Sequence, residues 1–212
     1  MRLDDEQIER YSRQLILAEV GPRGQERLGA ARVAVIGEGA AAERVVAYLA
    51  AAGVGWIAAS GGLHTAVDPA QPSLTIVPLA EARQGRLDAT VLTGVTVEEL
   101  ATTLPSWSAR AATLCWIAGG RAGASPPCPL CAAVALAPVT DVPPELAALR
   151  EALLGTIVAT EVVKALLAIG VPLAGRALAY DPETATITNL GVAARPDCPC
   201  RGSERGALST RT

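Results

Sequence analysis

Four cysteines form two closely spaced pairs in the C-terminal half of the chain. Two residues separate Cys128 from Cys131, and one residue separates Cys198 from Cys200. Structural Zn²⁺ takes four ligands in a tetrahedron, and two such thiolate pairs would tie distant segments of chain together. We therefore predict a closed structural zinc site, with a redox pair at Cys128 and Cys131 or unconnected thiols as the alternatives. The fifth cysteine, Cys115, lies in an apolar run and is predicted to be an inert core thiol.

A second group of residues has the spacing G-x-G-x-x-A, in Gly37-Glu-Gly39-Ala-Ala-Ala42. Glycines at these places let the main chain turn tightly and approach a phosphate, which would meet the N-terminus of the following helix. Gly37, Gly39 and Ala42 are therefore candidate nucleotide-binding residues. The alternative is a tight turn that binds nothing, and Glu38 favours it because a carboxylate repels phosphate.

The elements around the glycines form a βαβ unit. Residues 32–37 are a short apolar run typical of a buried parallel strand, and residues 40–52 are rich in helix formers. Gly53 is a candidate helix C-cap, and a second strand is predicted at 54–59. This order of elements predicts an α/β fold.

The rest of the chain extends this scheme. Further strands are predicted at 74–79, 89–93 and 113–118, and a helix at 97–104. A long helix starts at Pro143-Pro144-Glu145 and ends before Gly170, with Gly155 as a point where it could bend. Strands at 177–180 and 185–190 flank a turn and predict a hairpin.

We therefore predict a Rossmann-like, mostly parallel sheet with flanking helices and a C-terminal antiparallel hairpin. It would form a single domain over residues 1–201, with an N-terminal helical arm at 1–30 and a disordered polar tail at 202–212.

Composition excludes several classes of function. The net charge is −3 and no basic cluster stands out, so nucleic acid is not expected as a partner. The longest apolar stretch contains Glu161 and Lys164 and predicts a core helix rather than a membrane span. The acidic start is unlike a signal peptide, and five cysteines without secretory context suit a reducing compartment. We expect a cytoplasmic protein.

The segment Arg10-Tyr-Ser-Arg-Gln-Leu-Ile16 makes the interpretation specific. It resembles the R-Y-x-R-Q-[LI] opening of the ThiF/MoeB/HesA superfamily, the group of ubiquitin-activating-enzyme-like folds. The likeness continues in order through 24–28, 33–37 and 51–55. It returns at the cysteine pairs, the long helix and the hairpin, and in total covers about three-fifths of the chain.

The resemblance implies a function and partners. Members of this superfamily use ATP to adenylate the C-terminal glycine of a ubiquitin-like or sulfur-carrier protein. They usually work as dimers in which an arginine of the opening motif reaches the partner's ATP, and that arginine matches Arg13 here. We expect a homodimer, or a heterodimer with a ThiF/MoeB-like homologue, and a carrier protein or peptide as a further partner.

This chain departs from the family pattern where ATP should be held. The family has an acidic residue for the ribose after the second strand, but residues 56–60 contain none. The segment with the phosphate-gripping Asn, Arg, Gln and Lys is shortened between Ser60 and Leu74, and Lys164 is the only lysine. The family's metal-binding aspartate has no counterpart in 93–96, because Asp88 precedes that strand. No cysteine follows in the crossover segment after Cys131.

These losses predict weak or absent binding of ATP and Mg²⁺. Each missing group would cost roughly 3 kcal/mol of transition-state stabilisation, although such losses do not simply add. We therefore predict a catalytically impaired family member, a pseudoenzyme or partner subunit that binds a carrier protein or a homologue. The alternatives are an active adenylyltransferase with a relocated catalytic set and a Rossmann-type nucleotide-binding protein of another class.

Overall fold

The structure is a computed structural model, and it describes residues 3–63, 74–83, 85–94, 111–118, 120–125, 128–135, 142–193, 195–196 and 198. The helix predicted at 97–104, the second cysteine of the C-terminal pair, Cys200, and the predicted tail at 202–212 lie outside these residues.

The N-terminal arm consists of three helices, α1 (Asp5–Arg10), α2 (Ser12–Leu15) and α3 (Gly21–Ala30). A capping box starts α1: the Asp4 carboxylate accepts a hydrogen bond from the Gln7 amide at 2.8 Å, and the Gln7 side chain accepts one from the Asp4 amide at 3.1 Å. Tyr11 is buried and lies against Gly53. This contact fixes the arm to the sheet domain.

The first five strands pair with one another in parallel, as the βαβ pattern predicted. Helix α4 (Gly39–Ala52) connects the first two strands and ends at Gly53, whose φ of 93° is left-handed and confirms the predicted C-cap. The strands are β1 (Arg32–Ile36), β2 (Trp56–Ala59), β3 (Thr75–Pro78), β4 (Leu87–Leu92) and β5 (Ala111–Ala118). A short 3-10 helix, Leu79–Arg83, follows β3.

Three further strands pair antiparallel, namely β6 (Arg121–Ala124), β7 (Arg176–Asp181) and β8 (Thr186–Gly191). The order across the eight-stranded sheet is β3-β2-β1-β4-β5-β6-β7-β8. The predicted fold class is therefore confirmed, including the C-terminal hairpin. Strand β6 was not predicted, because this four-residue strand begins with arginine, contains glycine and has no apolar alternation.

Two helices complete the described part of the chain, α5 (Pro129–Ala135) and α6 (Pro144–Leu167). Helix α6 runs through Gly155 without interruption. A Cβ at Gly155 would lie against the Ala41 carbonyl of α4, so this glycine serves the close packing of α4 on α6. No helix in the described ranges has both the length and the apolarity needed to cross a bilayer.

The sheet separates two apolar layers. Val35, Val91 and Cys115 belong to the layer covered by α4 and α6, whereas Leu114 and Trp116 belong to the opposite layer. Cys115 is fully buried, and burial raises the pKa of its thiol to about 12. It is therefore the inert core thiol that the sequence predicted.

Candidate functional site

The G-x-G turn lies at the carboxyl edge of the parallel strands, between the ends of β1 and β4. Gly37 has a φ of +123°, and a Cβ there would collide with the Thr93 carbonyl. Its amide donates a hydrogen bond to Ser60 Oγ at 3.1 Å, and the Thr93 amide donates to the Ile36 carbonyl at 2.8 Å. The turn is thus held by the two residues that follow β2 and β4.

Helix α4 begins directly after this turn and presents its N-terminus to the edge. Glu38 and Gly39 are exposed, and the Glu38 side chain makes no capping hydrogen bond to the helix. The first amides of α4 can therefore meet an anion. Ala42, the third candidate residue, is fully buried against the core, where a small side chain lets the helix approach the sheet.

The neighbouring strand ends lack the charged groups that phosphate chemistry needs. Ser60 follows β2 and the pair Thr93-Gly94 follows β4, so neither end presents a carboxylate. Asp88 is the second residue of β4 and lies at the opposite edge, where its carboxylate accepts a hydrogen bond from the Arg32 amide at 2.8 Å.

Lys164 also lies far from the turn. Its Nζ contacts Glu161 Oε1 and the Val171 carbonyl, both at 2.5 Å, and the other oxygen of Glu161 accepts a hydrogen bond from the Leu173 amide at 2.8 Å. These contacts join the last turns of α6 to the segment that follows the helix. That end packs on α3, which leads into the start of β1, so Lys164 is at the amino edge of the sheet.

A cleft of about 450 Å³ lies beside the ends of β2 and β3. It adjoins Ser60 and is mainly apolar, lined by Ala59–Gly62 and Ile76–Leu79. No pattern in the sequence predicts this cleft, because the two lining segments meet only when β2 and β3 pair.

Three of the four predicted zinc ligands converge on the other side of the sheet. Cys128 Sγ lies 3.8 Å from Cys131 Sγ and 3.4 Å from Cys198 Sγ, and no disulfide joins them. A tetrahedron with Zn–S bonds of about 2.3 Å places sulfur atoms about 3.8 Å apart. All three are buried, so the cluster is consistent with a zinc site. The Arg195 amide donates a hydrogen bond to Cys131 Sγ at 3.3 Å, as groups around a metal ligand commonly do.

Arg13 lies on α2, and its side chain is exposed. Helix α2 sits at the C-terminal end of α4, where Gln14 Nε2 donates a hydrogen bond to the Ala51 carbonyl at 3.3 Å. The glycine turn is at the other end of α4, about 20 Å away by the rise of its fourteen residues. Arg13 and the turn of the same chain are therefore far apart.

Comparison with known proteins agrees with this architecture. Residues 11–59 match the family model described as the ThiF family. A sulfur carrier protein adenylyltransferase of Thermus thermophilus is 31% identical, over 96% of this chain and 94% of that protein. The chain belongs to the ThiF family. A SAMP-activating enzyme E1 of Haloferax volcanii is 51% identical over 55 residues, which are 26% of this chain and 20% of that protein.

Solved structures show the same fold. The crystal structure of PaaA has a TM-score of 0.64 at 14% identity and covers 89% of this chain and 84% of its own. The structure of Escherichia coli MccB with ATP has a TM-score of 0.57 at 14% identity and covers 92% and 81%. Identities this low establish the fold and no more. Membership of the ThiF family favours an impaired family member or an active adenylyltransferase over the third alternative, a nucleotide-binding protein of another class.

Proposed function

We propose that this ThiF-family chain is a catalytically impaired partner subunit, which binds a homologue or a ubiquitin-like or sulfur-carrier protein without activating ATP itself. The position of Lys164 carries the proposal. The only lysine of the chain forms an ion pair with Glu161 at the amino edge of the sheet. An adenylating site needs fixed cations directly beside the phosphates, which would lie at the glycine turn.

The strand ends beside the glycine turn support the same conclusion. Ser60 stands where the family holds the ribose with an acidic residue, and its hydroxyl oxygen accepts a hydrogen bond from the Gly37 amide. Thr93-Gly94 stands where the family holds Mg²⁺ with an aspartate. We therefore expect ATP and Mg²⁺ to bind weakly at Gly37 and Gly39.

The alignment with the Thermus protein adds a further argument. It extends over 260 positions, more than the 212 residues of this chain, although it covers nearly all of both proteins. That relative therefore has residues with no counterpart here. This difference supports the shortening of the phosphate-gripping segment expected between Ser60 and Leu74.

Arg13 would act in another subunit. Helix α2, which carries Arg13, contacts the C-terminal end of α4, and the glycine turn lies at the other end of that helix, about 20 Å along it. A contact between Arg13 and phosphate would therefore involve the nucleotide site of a partner. An arginine supplied in this way has value where phosphate charge develops, so the partner needs an intact ATP site.

The surface around Arg13 is suited to a partner. Ile16 is 82% exposed and Leu17 is 50% exposed, directly after α2. Tyr48 is 49% exposed on α4, one turn before the residue that α2 contacts. Large apolar side chains grouped on a surface favour protein association over exposure to water. We propose this surface as the dimer contact, either with a second copy or with a complete homologue.

The zinc site would be structural. Cys200 would add the fourth thiolate to Cys128, Cys131 and Cys198 and close the coordination shell. A closed shell leaves no position for a substrate. The metal would instead hold the segment before α5 to the segment that follows β8, within the proposed single domain of residues 1–201.

An active adenylyltransferase is the second candidate function. The Thermus relative is named as such an enzyme, and the glycine turn here still presents the uncapped N-terminus of α4. The cations would then have to come from other residues of this chain. Measuring activity of the chain by itself separates this candidate from the first.

Pyrophosphate exchange with ATP and a sulfur-carrier protein tests both candidates. The chain is assayed by itself and mixed with a complete ThiF-family homologue. We expect no exchange above background from the chain, and a higher rate from the homologue when the chain is present. Arg13→Ala should abolish that increase, whereas Arg23→Ala, which removes another exposed arginine of the arm, should not.

Three results would contradict parts of the proposal. Exchange by the chain itself would establish the active enzyme instead. Absence of a complex with the homologue and with the carrier would remove the partner-subunit function. Equal rates with wild-type and Arg13→Ala protein would show that Arg13 is a surface residue only.

A further inference from the structure

Arg121 is an arginine whose Nε is buried without a hydrogen-bond partner and which has no counter-charge among the described residues. It opens β6 between Ala118 of β5 and Ala179 of β7, and only 8% of its surface is exposed. Within the described residues no carboxylate lies at ion-pair distance from it, and its Nε has no hydrogen-bond partner. Burial lowers the pKa of Arg121, yet a guanidinium remains protonated in proteins at neutral pH.

This arginine shares the edge of the sheet that carries the glycine turn. Strand β5 runs parallel to β4, and its carboxyl end, Ala118, pairs with Arg121 at the start of β6. Ile36 of β1 is in register with Leu92 of β4, which is in register with Trp116 of β5. Arg121 therefore lies three strand spacings, about 14 Å, from β1 along the same edge.

A second guanidinium lies beside Gly120, in the connection between β5 and β6. Arg150 of α6 packs against Gly120, where a Cβ would fall 2.7 Å from its Cζ. Its Nε and Nη1 are buried without hydrogen-bond partners. The carboxylate of Glu151 is 3.8 Å from Nε, which is an ion-pair distance but too long for a hydrogen bond.

Asp181, the acidic residue at the end of β7, is engaged in hydrogen bonds within its own hairpin. The Asp181 carboxylate accepts hydrogen bonds from the Glu183 amide at 2.9 Å and from Thr184 Oγ1 at 2.8 Å. These bonds lower the pKa of Asp181, with the Thr184 hydroxyl as the main cause. The side chain thus stabilises its own hairpin rather than pairing with Arg121.

We propose that Arg121, assisted by Arg150, binds an oxyanion at this edge of the sheet. A buried cation without a partner is strongly unfavourable, and a bound anion would remove that cost. Arginine suits this role because its planar fork donates two parallel hydrogen bonds to a carboxylate or a phosphate. The proposal concerns residues that the proposed function does not use, and it holds for an active or an impaired chain.

Two sources could supply the anion, namely the phosphate of a nucleotide and the terminal carboxylate of a peptide. Calorimetric titration of the purified protein with inorganic pyrophosphate represents the first. N-acetyl-glycyl-glycine represents the second, with its C-terminal amide as the uncharged control. We expect one of the two anions to bind, and its identity assigns the source.

The variants are Arg121→Met, which keeps volume and removes charge, Arg121→Lys, and Arg150→Met. Loss of a charged hydrogen-bond pair predicts at least about tenfold weaker binding for Arg121→Met. Arg121→Lys should be intermediate, because it keeps the charge and loses the fork. The matched control is Arg32→Met, whose guanidinium lies 3.8 Å from the Trp56 ring at the opposite edge.

Thermal unfolding separates an anion site from a structural arginine. Without added anion, Arg121→Met should melt at or above the wild-type temperature, because an unpaired buried charge has been removed. The binding anion should raise the Tm of wild-type protein and not that of the variant. Absence of binding by both anions, unchanged affinity in Arg121→Met, or equal anion stabilisation of both proteins would overturn the proposal.

Discussion

The glycine turn and the cysteine cluster lie on the same sheet, but the turn is defined by its main-chain geometry and the cluster by its side chains. At the turn, the main chain is intact: Gly37 fits under Thr93, and α4 starts at Gly39. The described residues that follow the neighbouring strands, Ser60 and Thr93-Gly94, carry no charge. At the cluster, the side chains themselves converge, with sulfur atoms 3.4 and 3.8 Å apart.

This difference shows what each kind of site requires. A thiolate metal site is defined by side-chain chemistry, so the residue types identify it and their convergence tests it. A phosphate-binding turn is defined first by main-chain geometry, which the fold needs for its own packing whether or not a ligand binds. A turn of this kind can therefore be present whether or not it binds a ligand.

The largest expected effect is at the cluster. Cys128→Ser should lower the metal content well below one zinc per chain and destabilise the fold by about 4 kcal/mol or more, because metal binding and folding are coupled. Metal analysis and denaturant unfolding measure both quantities. Cys115→Ala, which alters a buried thiol outside the cluster, should leave one zinc per chain. A metal-free wild-type protein of full stability would show that the cluster is a set of core thiols.

Substitutions in the glycine turn should separate its structural role from binding. Gly37→Ala should cost about 3 kcal/mol or more, since a Cβ would meet the Thr93 carbonyl at a left-handed φ. Gly39→Ala should cost about 1 kcal/mol, because its φ is also positive but nothing lies within 4 Å. Urea unfolding measures both. Similar losses of unfolding free energy in the two variants would mean that the contact between Gly37 and Thr93 does not determine the stability of the turn.

ATP affinity tests the missing side chains directly. We expect calorimetric titration with ATP and Mg²⁺ to give a dissociation constant above roughly 100 µM, because the helix N-terminus by itself contributes little. Titration of a complete homologue under the same conditions is the control. A low-micromolar constant would mean that other residues replace the absent acid and lysine.

The smallest effect concerns Glu151, beside Arg150. Burial raises the pKa of Glu151, and Arg150 opposes this only in part. The folded state therefore holds the proton more tightly than the unfolded state, so stability is fully present below the unfolded pKa and falls as pH rises through the folded pKa. Glu151→Gln should flatten this decline in Tm between about pH 4 and 7. A parallel decline in both proteins would assign it to other groups.

The sequence predicted the parallel half of the sheet better than the antiparallel half. Strands β1, β2 and β4 are short apolar runs flanked by glycine or polar residues, a pattern that survives any arrangement of the neighbours. Strand β6 has no such pattern, and its arginine depends on where β5 and β7 lie. The close packing at Gly155 likewise depends on both α4 and α6. From the sequence, a glycine inside a helix indicates a less stable helix, and it does not show that another helix packs against it.

By itself, the sequence determined the fold class, the family and the cysteines of the candidate zinc site. All of these depend on residue type and on order along the chain. Only the tertiary structure brought Cys198 to Cys128 across 70 positions, separated Arg13 from its own turn, and buried Arg121 with no carboxylate beside it in the described part of the chain. Distance, burial and pairing are properties of strand register and helix packing, which single-residue patterns do not encode.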